Sequence, residues 1–334
     1  MARTYAFELS GEHDTLPRSE ALALLEVYSR GFRELCLLDQ CLIVEAEDLN
    51  VQTLSLRLAM THRILEVLAI CDTHLDSLAD AANSIVIPDK AYRVRARNVK
   101  NAPLQGDQVE REVGRVLYKR GYKADLTKPE VELRAIITGN KVVLGIEVAR
   151  AKRFEFEGRR PHLKAFFYPG VLMPRMARAL VNISQAKEGD LLLDPFSGTG
   201  GILVEACLVG IRCIGIDVQK KLVQGAKVNV EGLDCTLIAG DARRLPFRDC
   251  SLDNAVLDTP YGRSALIRAE SKEELLDNGL AELHRVLKPR RRIVVVAERQ
   301  IDDHITDANF AVREIHTDRV HRSLTRYIFV CIKY

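Results

Sequence analysis

Between residues 190 and 300 the chain repeats one pattern: a short apolar run, a turn, then a helical stretch. Residues 191–194, 212–217, 235–239, 252–257 and 292–297 read as strands. Residues 201–209, 218–230 and 272–287 read as helices, the last halted by Lys288-Pro289. Strands alternating with helices imply a mostly parallel sheet with helices on both faces, so this half of the chain is α/β. The end differs. Residues 310–315 and 326–332 read as two strands with no helix between them, hence antiparallel neighbours.

The first half reads as α+β. Strands are expected at 5–9, 35–38, 42–45, 92–97, 131–137 and 141–148, the last two flanking the hairpin signal Thr138-Gly-Asn140. Helices are expected at 17–29, 51–58, 63–71 and 108–121, with Pro17 in a first turn and Gly121 as a C-terminal cap. Residues 150–164 are charged, hold Gly158 and Pro161 and lack an apolar period, so they read as a linker. For 334 residues this makes two or three domains.

Composition excludes several classes. With 47% hydrophobic and 28% charged residues, the chain is not mainly disordered. No stretch approaches the roughly 18 apolar residues of a membrane span. The N-terminus lacks a signal-peptide pattern, which points to the cytoplasm. The eight cysteines form no CxxC pair, so a zinc ribbon is not expected, and their scatter suggests reduced thiols. A net charge of +3 hides an uneven distribution. Residues 1–89 carry 6 Lys/Arg and 15 Asp/Glu, while residues 90–164 carry 19 and 9. Two readings stand: a local polyanion site, or two segments that neutralise each other internally.

Asp194-Pro-Phe196-Ser197-Gly198-Thr199-Gly200-Gly201 lies where a strand meets a helix. Its glycines permit a tight turn and close backbone approach to a ligand. It lacks the Lys-Ser/Thr of a phosphate-gripping loop and the GxGxxG spacing of a dinucleotide fold. The next strand ends at Asp217, where a carboxylate can accept both ribose hydroxyls. The third leads into Gly240-Asp241-Ala242, where a carboxylate can accept an adenine amino group. Together they are spaced for an adenosine-bearing cofactor without a pyrophosphate. The fourth strand leads into Asp258-Thr259-Pro260-Tyr261. This tetrapeptide resembles that of S-adenosylmethionine-dependent amino-methyltransferases, and the resemblance implies that a carboxylate and a carbonyl here accept both N–H groups of an exocyclic base amine, localise its lone pair and aim it, while Tyr261 stacks on the base. Taken alone, Asp258 reads equally as a turn-forming residue.

In this order the motifs resemble S-adenosylmethionine-dependent amino-methyltransferases, whose familiar tetrapeptide is Asp/Asn-Pro-Pro-Tyr. Threonine at 259 departs from it at a position that acts mainly through its carbonyl. The resemblance implies S-adenosyl-L-methionine as cofactor, no metal, and Phe167 near the methionine moiety. The segment 174–182 reads equally as an amphipathic helix docked on the sheet.

Residues 52–149 resemble a THUMP domain, through Tyr92-Arg-Val-Arg-Ala-Arg-Asn98, Val109-Glu-Arg-Glu-Val113 and Val131-Glu-Leu-Arg134. THUMP domains are associated with the acceptor end of tRNA and pair with a small ferredoxin-like domain, a place residues 1–51 would fill. The implied organisation is a ferredoxin-like domain at 1–51, THUMP at 52–149, a basic linker at 150–164 and a Rossmann-like methyltransferase domain at 165–334. Arg93, Arg95 and Arg97 share one strand face and, with Lys100, form either a phosphate track or a solvated face. Lys152, Arg153, Arg159 and Arg160 would extend the track. The whole is similar to the THUMP-containing tRNA guanine N2-methyltransferases acting at nucleotide 10, of archaeal type, which add one or two methyls. Eukaryotic relatives use a small zinc-containing activator protein, so such a partner is an open expectation. Two rival readings are an amino-methyltransferase on another RNA guanine or on DNA bases, and a non-catalytic tRNA-binding subunit.

Overall fold

The computed structural model describes residues 2–260 and 272–334. The chain divides into two compact units, Met1–Lys152 and Arg153–Tyr334.

The first unit holds β1 (Arg3–Leu9), α1 (Leu16–Tyr28), β2 (Gly31–Leu38), β3 (Cys41–Glu47), α2 (Val51–Arg57), β4 (Thr61–Asp72), α3 (Leu75–Ser84), β5 (Tyr92–Val99), α4 (Gly106–Lys119), β6 (Val131–Thr138) and β7 (Lys141–Arg150). All seven strands form one sheet in the order β2-β3-β1-β4-β7-β6-β5. β1 pairs with both β3 and β4, so hydrogen bonds run across the boundary at residue 51 and the segments 1–51 and 52–149 share this sheet. Leu24, Leu25, Leu54 and Leu58 from α1, α2 and the α2 C-cap pack on Phe7 and Ile64. Leu78, Val109, Val113 and Leu117 from α3 and α4 pack on Tyr92, Leu133 and Leu144. Helix α4 closes as its sequence suggests: Gly121 takes φ +91°, and the Tyr122 N–H reaches back to the Leu117 carbonyl at 3.2 Å.

Residues 63–71 are a correction. They form the middle of strand β4, not a helix. The register of β4 against β7 shifts between Ile64 and Leu65 and again between Val67 and Ala69. Two bulges erase the alternation that would have marked a strand and leave apolar residues at intervals that imitate a helix.

The second unit opens with two 3₁₀ turns, Arg153–Arg159 and Pro161–Leu163, so much of the charged segment 150–164 is ordered here. Then follow α5 (Pro174–Ile183), β8 (Leu191–Asp194), α6 (Gly201–Cys207), β9 (Arg212–Asp217), α7 (Lys220–Asn229), β10 (Cys235–Ala239), β11 (Asn254–Asp258), α8 (Lys272–Val286), β12 (Arg292–Ala297), α9 (Asp302–Asp307), β13 (Phe310–His321) and β14 (Leu324–Lys333). The sheet order is β10-β9-β8-β11-β12-β14-β13. Pairing is parallel from β10 to β12 and antiparallel for β14 and β13, as the alternation and its final break imply. Chain order reverses direction between β8 and β11. In such sheets the carboxyl ends of the strands at that switch form the ligand crevice. No helix among the described residues is long and apolar enough to cross a membrane.

Candidate active site

The glycine turn leaves β8 at Asp194 and enters α6 at Gly201. Gly198 and Gly200 take φ +49° and +78°, a region that disfavours a side chain. Gly200 stands behind the turn, where a Cβ would come within 3.2 Å of the Val230 side chain. A Cβ at Gly201 would meet nothing within 4 Å; that residue faces open space. The turn is stitched to β9: the Ser197 N–H donates to the Ile216 carbonyl at 2.9 Å, and the Gly198 N–H to Asp217 Oδ2 at 3.0 Å. The other oxygen of Asp217 accepts from the Gln219 N–H at 2.8 Å. Burial pushes the Asp217 carboxyl up, and these two backbone donors oppose it.

Asp194 is 1% exposed and accepts from the Phe196 N–H at 3.1 Å. Burial drives its carboxyl well above the usual range against that bond, and the charges of Asp258 and Asp217 add to the rise. Asp241 is the opposite case. The Arg243 guanidinium grips its carboxylate, at 2.8 Å from Nη2 to Oδ2, and holds it below the usual range. Arg243 also reaches Glu274 of α8 at 2.9 Å. Arg243 lies only two residues from Asp241, yet nothing in the sequence marks Glu274 as its second partner.

Asp258 ends β11. Thr259 donates both its N–H and its hydroxyl to the Val296 carbonyl of β12, each at 2.9 Å. A proline at 259 would supply neither donor, so threonine ties the tetrapeptide to the neighbouring strand. Tyr261 lies outside the described residues.

One cavity of about 640 Å³ gathers these groups. Asp194, Phe196, Ser197, Gly198, Thr199, Asp217, Asp241, Ala242, Asp258, Thr259 and Pro260 all line it. Its size suits a cofactor-sized ligand. The Ser197 hydroxyl is buried against it with no hydrogen-bond partner among the described residues. An unsatisfied hydroxyl, an open face at Gly201 and three nearby carboxylates fit a polar, partly cationic ligand such as S-adenosylmethionine. Phe167 is 48% exposed and does not line the cavity, whereas the adjacent Tyr168 does. Asn229 holds the backbone N–H and carbonyl of Phe166, and the Phe166 ring packs on Gly225.

Six of the basic residues singled out in the sequence are placed in ion pairs. Arg93 pairs with Glu132, Arg95 with Glu110 at 3.2 Å, Arg97 with Glu8 at 3.0 Å and Lys100 with Asp39 at 2.7 Å. In the second unit Arg159 bonds the buried Glu205 at 2.7 Å and stacks on Phe156 at 4.7 Å, and Arg160 pairs with Glu157. Lys152 ends the first unit and Arg153 opens the second.

A parallel sheet whose strand ends carry this row of carboxylates beside a glycine turn defines a Rossmann-like methyltransferase domain. Residues 161–328 match the family model UPF0020, RMKL-like, methyltransferase domain. The tRNA (guanine(10)-N2)-dimethyltransferase of Methanothermobacter thermautotrophicus is 34% identical over 330 residues, covering 96% of this chain and 97% of that protein. The protein of the same name from Methanocaldococcus jannaschii is 27% identical, covering 97% and 98%. The fold is that of the crystal structure of TrmN from Thermus thermophilus, with a TM-score of 0.55, 23% identity and coverage of 99% and 100%. The chain belongs to the tRNA (guanine(10)-N2)-dimethyltransferase family.

Proposed function

We propose that the protein methylates the exocyclic N2 amine of guanine 10 in tRNA, adding one methyl and then a second, with S-adenosyl-L-methionine as donor. The observation that carries this is Asp258-Thr259-Pro260 at the end of β11, lining the same cavity as the glycine turn and Asp217. The family membership and the names of the relatives support the choice of tRNA and of nucleotide 10.

S-Adenosylmethionine, when bound, supplies an electrophilic methyl on a sulfonium. Asp217 would accept the ribose hydroxyls, and Asp241 the adenine amine, sharing its carboxylate with Arg243. Gly198 to Gly201 let the backbone approach, and the Ser197 hydroxyl gains a partner. The N2 amine of guanine is a poor nucleophile because its lone pair is delocalised into the ring. Asp258 accepts one N–H and the Thr259 carbonyl the other, which localises the lone pair and points it. The bonds from Thr259 to Val296 fix the direction of that carbonyl, and Pro260 adds no competing N–H. As positive charge grows on nitrogen, the Asp258 carboxylate stabilises it and takes the proton. Tyr261 would stack on the extruded base. The first unit would dock the acceptor end of the tRNA, in the cytoplasm, with Arg95 and Lys100 more available than Arg93 and Arg97.

The test is methyl transfer from labelled cofactor to an unmodified tRNA transcript, followed by nucleoside mass spectrometry. N2-methylguanosine and N2,N2-dimethylguanosine at nucleotide 10, absent when that base is changed, are the expected result. Adding the small zinc-containing activator shows whether the chain needs it. Asp258→Ala should lower turnover by at least about a hundredfold, the scale of a lost acid–base and positioning group, with the cofactor dissociation constant nearly unchanged. Equal loss of cofactor binding would remove Asp258 from its assigned role.

A further inference from the structure

Strands β13 and β14 run past the end of the strand beside them. Tyr327 of β14 pairs with Ala297, the last residue of β12, while Asp318, Arg319 and His321 of β13 go on pairing with Arg326, Thr325 and Leu324. At about 3.3 Å per residue, the hairpin overhangs β12 by roughly 10 Å. The register fixes the direction. β14 is antiparallel to β12, so the overhang leaves the carboxyl edge of the parallel strands, the edge that holds the cavity. Asp258 of β11 stands at that edge beside Val296, with β12 alone between its strand and β14.

Between Thr317 and Tyr327 the chain holds three arginines, one histidine and one acid. The acid is committed: Asp318 faces its register partner Arg326 at 4.0 Å. Arg326 is buried, and its Nη2 donates to the Gly170 carbonyl at 3.3 Å. Gly170 lines the cavity, so the root of the hairpin is tied to the cavity wall. A turn of two residues, Arg322 and Ser323, closes the tip, and the Ser323 N–H donates to His321 Nδ1 at 3.3 Å. Arg319 and Arg322 are exposed there and make no ion pair among the described residues, unlike Arg93, Arg95, Arg97 and Lys100 of the first unit. Exposed guanidinium groups without a carboxylate, on a hairpin anchored at its root, suit phosphate oxygens, which a guanidinium can take two at a time.

The cavity sets where a nucleic acid must lie. Asp194, Asp217 and Asp241 follow β8, β9 and β10, so the cofactor takes that side of the switch. A base offered to Asp258 then comes from the other side, over β12 and β14. A smaller pocket lies on that side, lined by Thr259, Pro260, Ala297, Glu298 and Arg299. A nucleotide reaching Asp258 by this route carries its phosphates past the overhanging tip. We propose, on the reading of the protein as a tRNA guanine methyltransferase, that the β13–β14 tip is an RNA-backbone contact. Arg319 and Arg322 hold the phosphates flanking the nucleotide whose base enters the cavity.

The test is the anisotropy of a labelled, unmodified tRNA transcript titrated with the full chain at several salt concentrations. Arg319→Gln with Arg322→Gln should lower the slope of log affinity against log salt by about 1–2, at roughly 0.7–0.9 per phosphate contact. Arg319→Lys with Arg322→Lys keeps the charge and should keep the slope. Both double variants should match the parent in unfolding midpoint and in cofactor affinity, since neither residue lines the cavity. An unchanged slope in the glutamine variant would overturn the contact. Ethylation of the transcript's phosphates tests its place. Phosphates beside nucleotide 10 whose ethylation weakens binding by the parent should no longer matter to the glutamine variant. Sensitivity lost only at acceptor-end phosphates would overturn the assignment to the target nucleotide. Nucleoside mass spectrometry of the same transcript tests the reaction separately. No methylated guanine from a parent whose slope exceeds the variant's ends the proposed reaction and keeps the contact; methylated guanine with equal slopes does the reverse.

Discussion

Asp194, Asp217 and Asp258 end β8, β9 and β11 at one cavity, and the charges of the latter two raise the carboxyl of the first. A cationic ligand beside Asp194 relieves that repulsion; a neutral one does not. As pH rises through the elevated titration of Asp194, its carboxylate forms and the pull on a cation grows. The affinity ratio between S-adenosylmethionine, with its sulfonium, and its neutral thioether product should therefore increase from pH 5 to pH 8. Isothermal titration of both ligands across that range measures it. Asp194→Asn should flatten the trend, and a flat ratio in the unaltered protein would uncouple Asp194 from the ligand charge. The sequence showed that a carboxylate stands at 194. It could not show that the group is fully buried near two others, because that depends on strands 23 and 64 residues away.

At the scale of elements, the link between β11 and β12 gives Thr259 a measurable weight. Thr259→Val removes the hydroxyl bond to Val296 and keeps the N–H bond, at a cost of about 1 kcal/mol. Thr259→Pro restores the more familiar tetrapeptide but loses both donors, so it should cost more. Thermal unfolding should rank the three proteins Thr, Val, Pro in falling stability, with single-turnover rates falling in the same order. A proline variant as stable as the parent would mean that the anchor to β12 carries nothing. Strands β8 to β12 were legible because each is a short apolar run, and β8, β9 and β11 are each followed by a helix with its own period. Strand β4 was not, because two bulges shift its register and the apolar pattern follows neither period cleanly. Phe167 and Tyr168 show the same limit at a finer grain. Adjacent aromatics in an irregular segment carry no periodicity, and the segment's hydrogen bonds run to Asn229, some 60 residues on.

Across the whole molecule, the uneven charge of the sequence resolves in part into pairs within the first sheet. Arg134 and Arg97 of the basic segment close on Glu8, and Lys100 on Asp39, both acids of the N-terminal segment. Burial pushes the Glu8 carboxyl up, but its bonds to Arg134 and the charges of Arg134, Arg63 and Arg97 hold it below the usual range. A lowered carboxyl adds stability that is present above its unfolded value, near 4.3, and is lost as pH falls through the folded value. Arg97→Gln should therefore cost about 1.5–3 kcal/mol at pH 7, the scale of a hydrogen bond to a charged group. The difference in denaturation midpoint from the parent should shrink at pH 3.5. Arg97 is thus committed to the fold, with a side chain 24% exposed, whereas Arg95 and Lys100 are 43% and 64% exposed in solvent-facing pairs. Exposed pairs hold their partners weakly, so a phosphate can compete for these two cations. Replacing Arg95 and Lys100 together with glutamine should reduce the slope of log tRNA affinity against log salt by about 1–2, at roughly 0.7–0.9 per phosphate contact. Arg97→Gln should leave that slope alone while lowering stability. If the double variant keeps the parent's slope, both residues belong to a solvated face, and the first unit grips tRNA elsewhere.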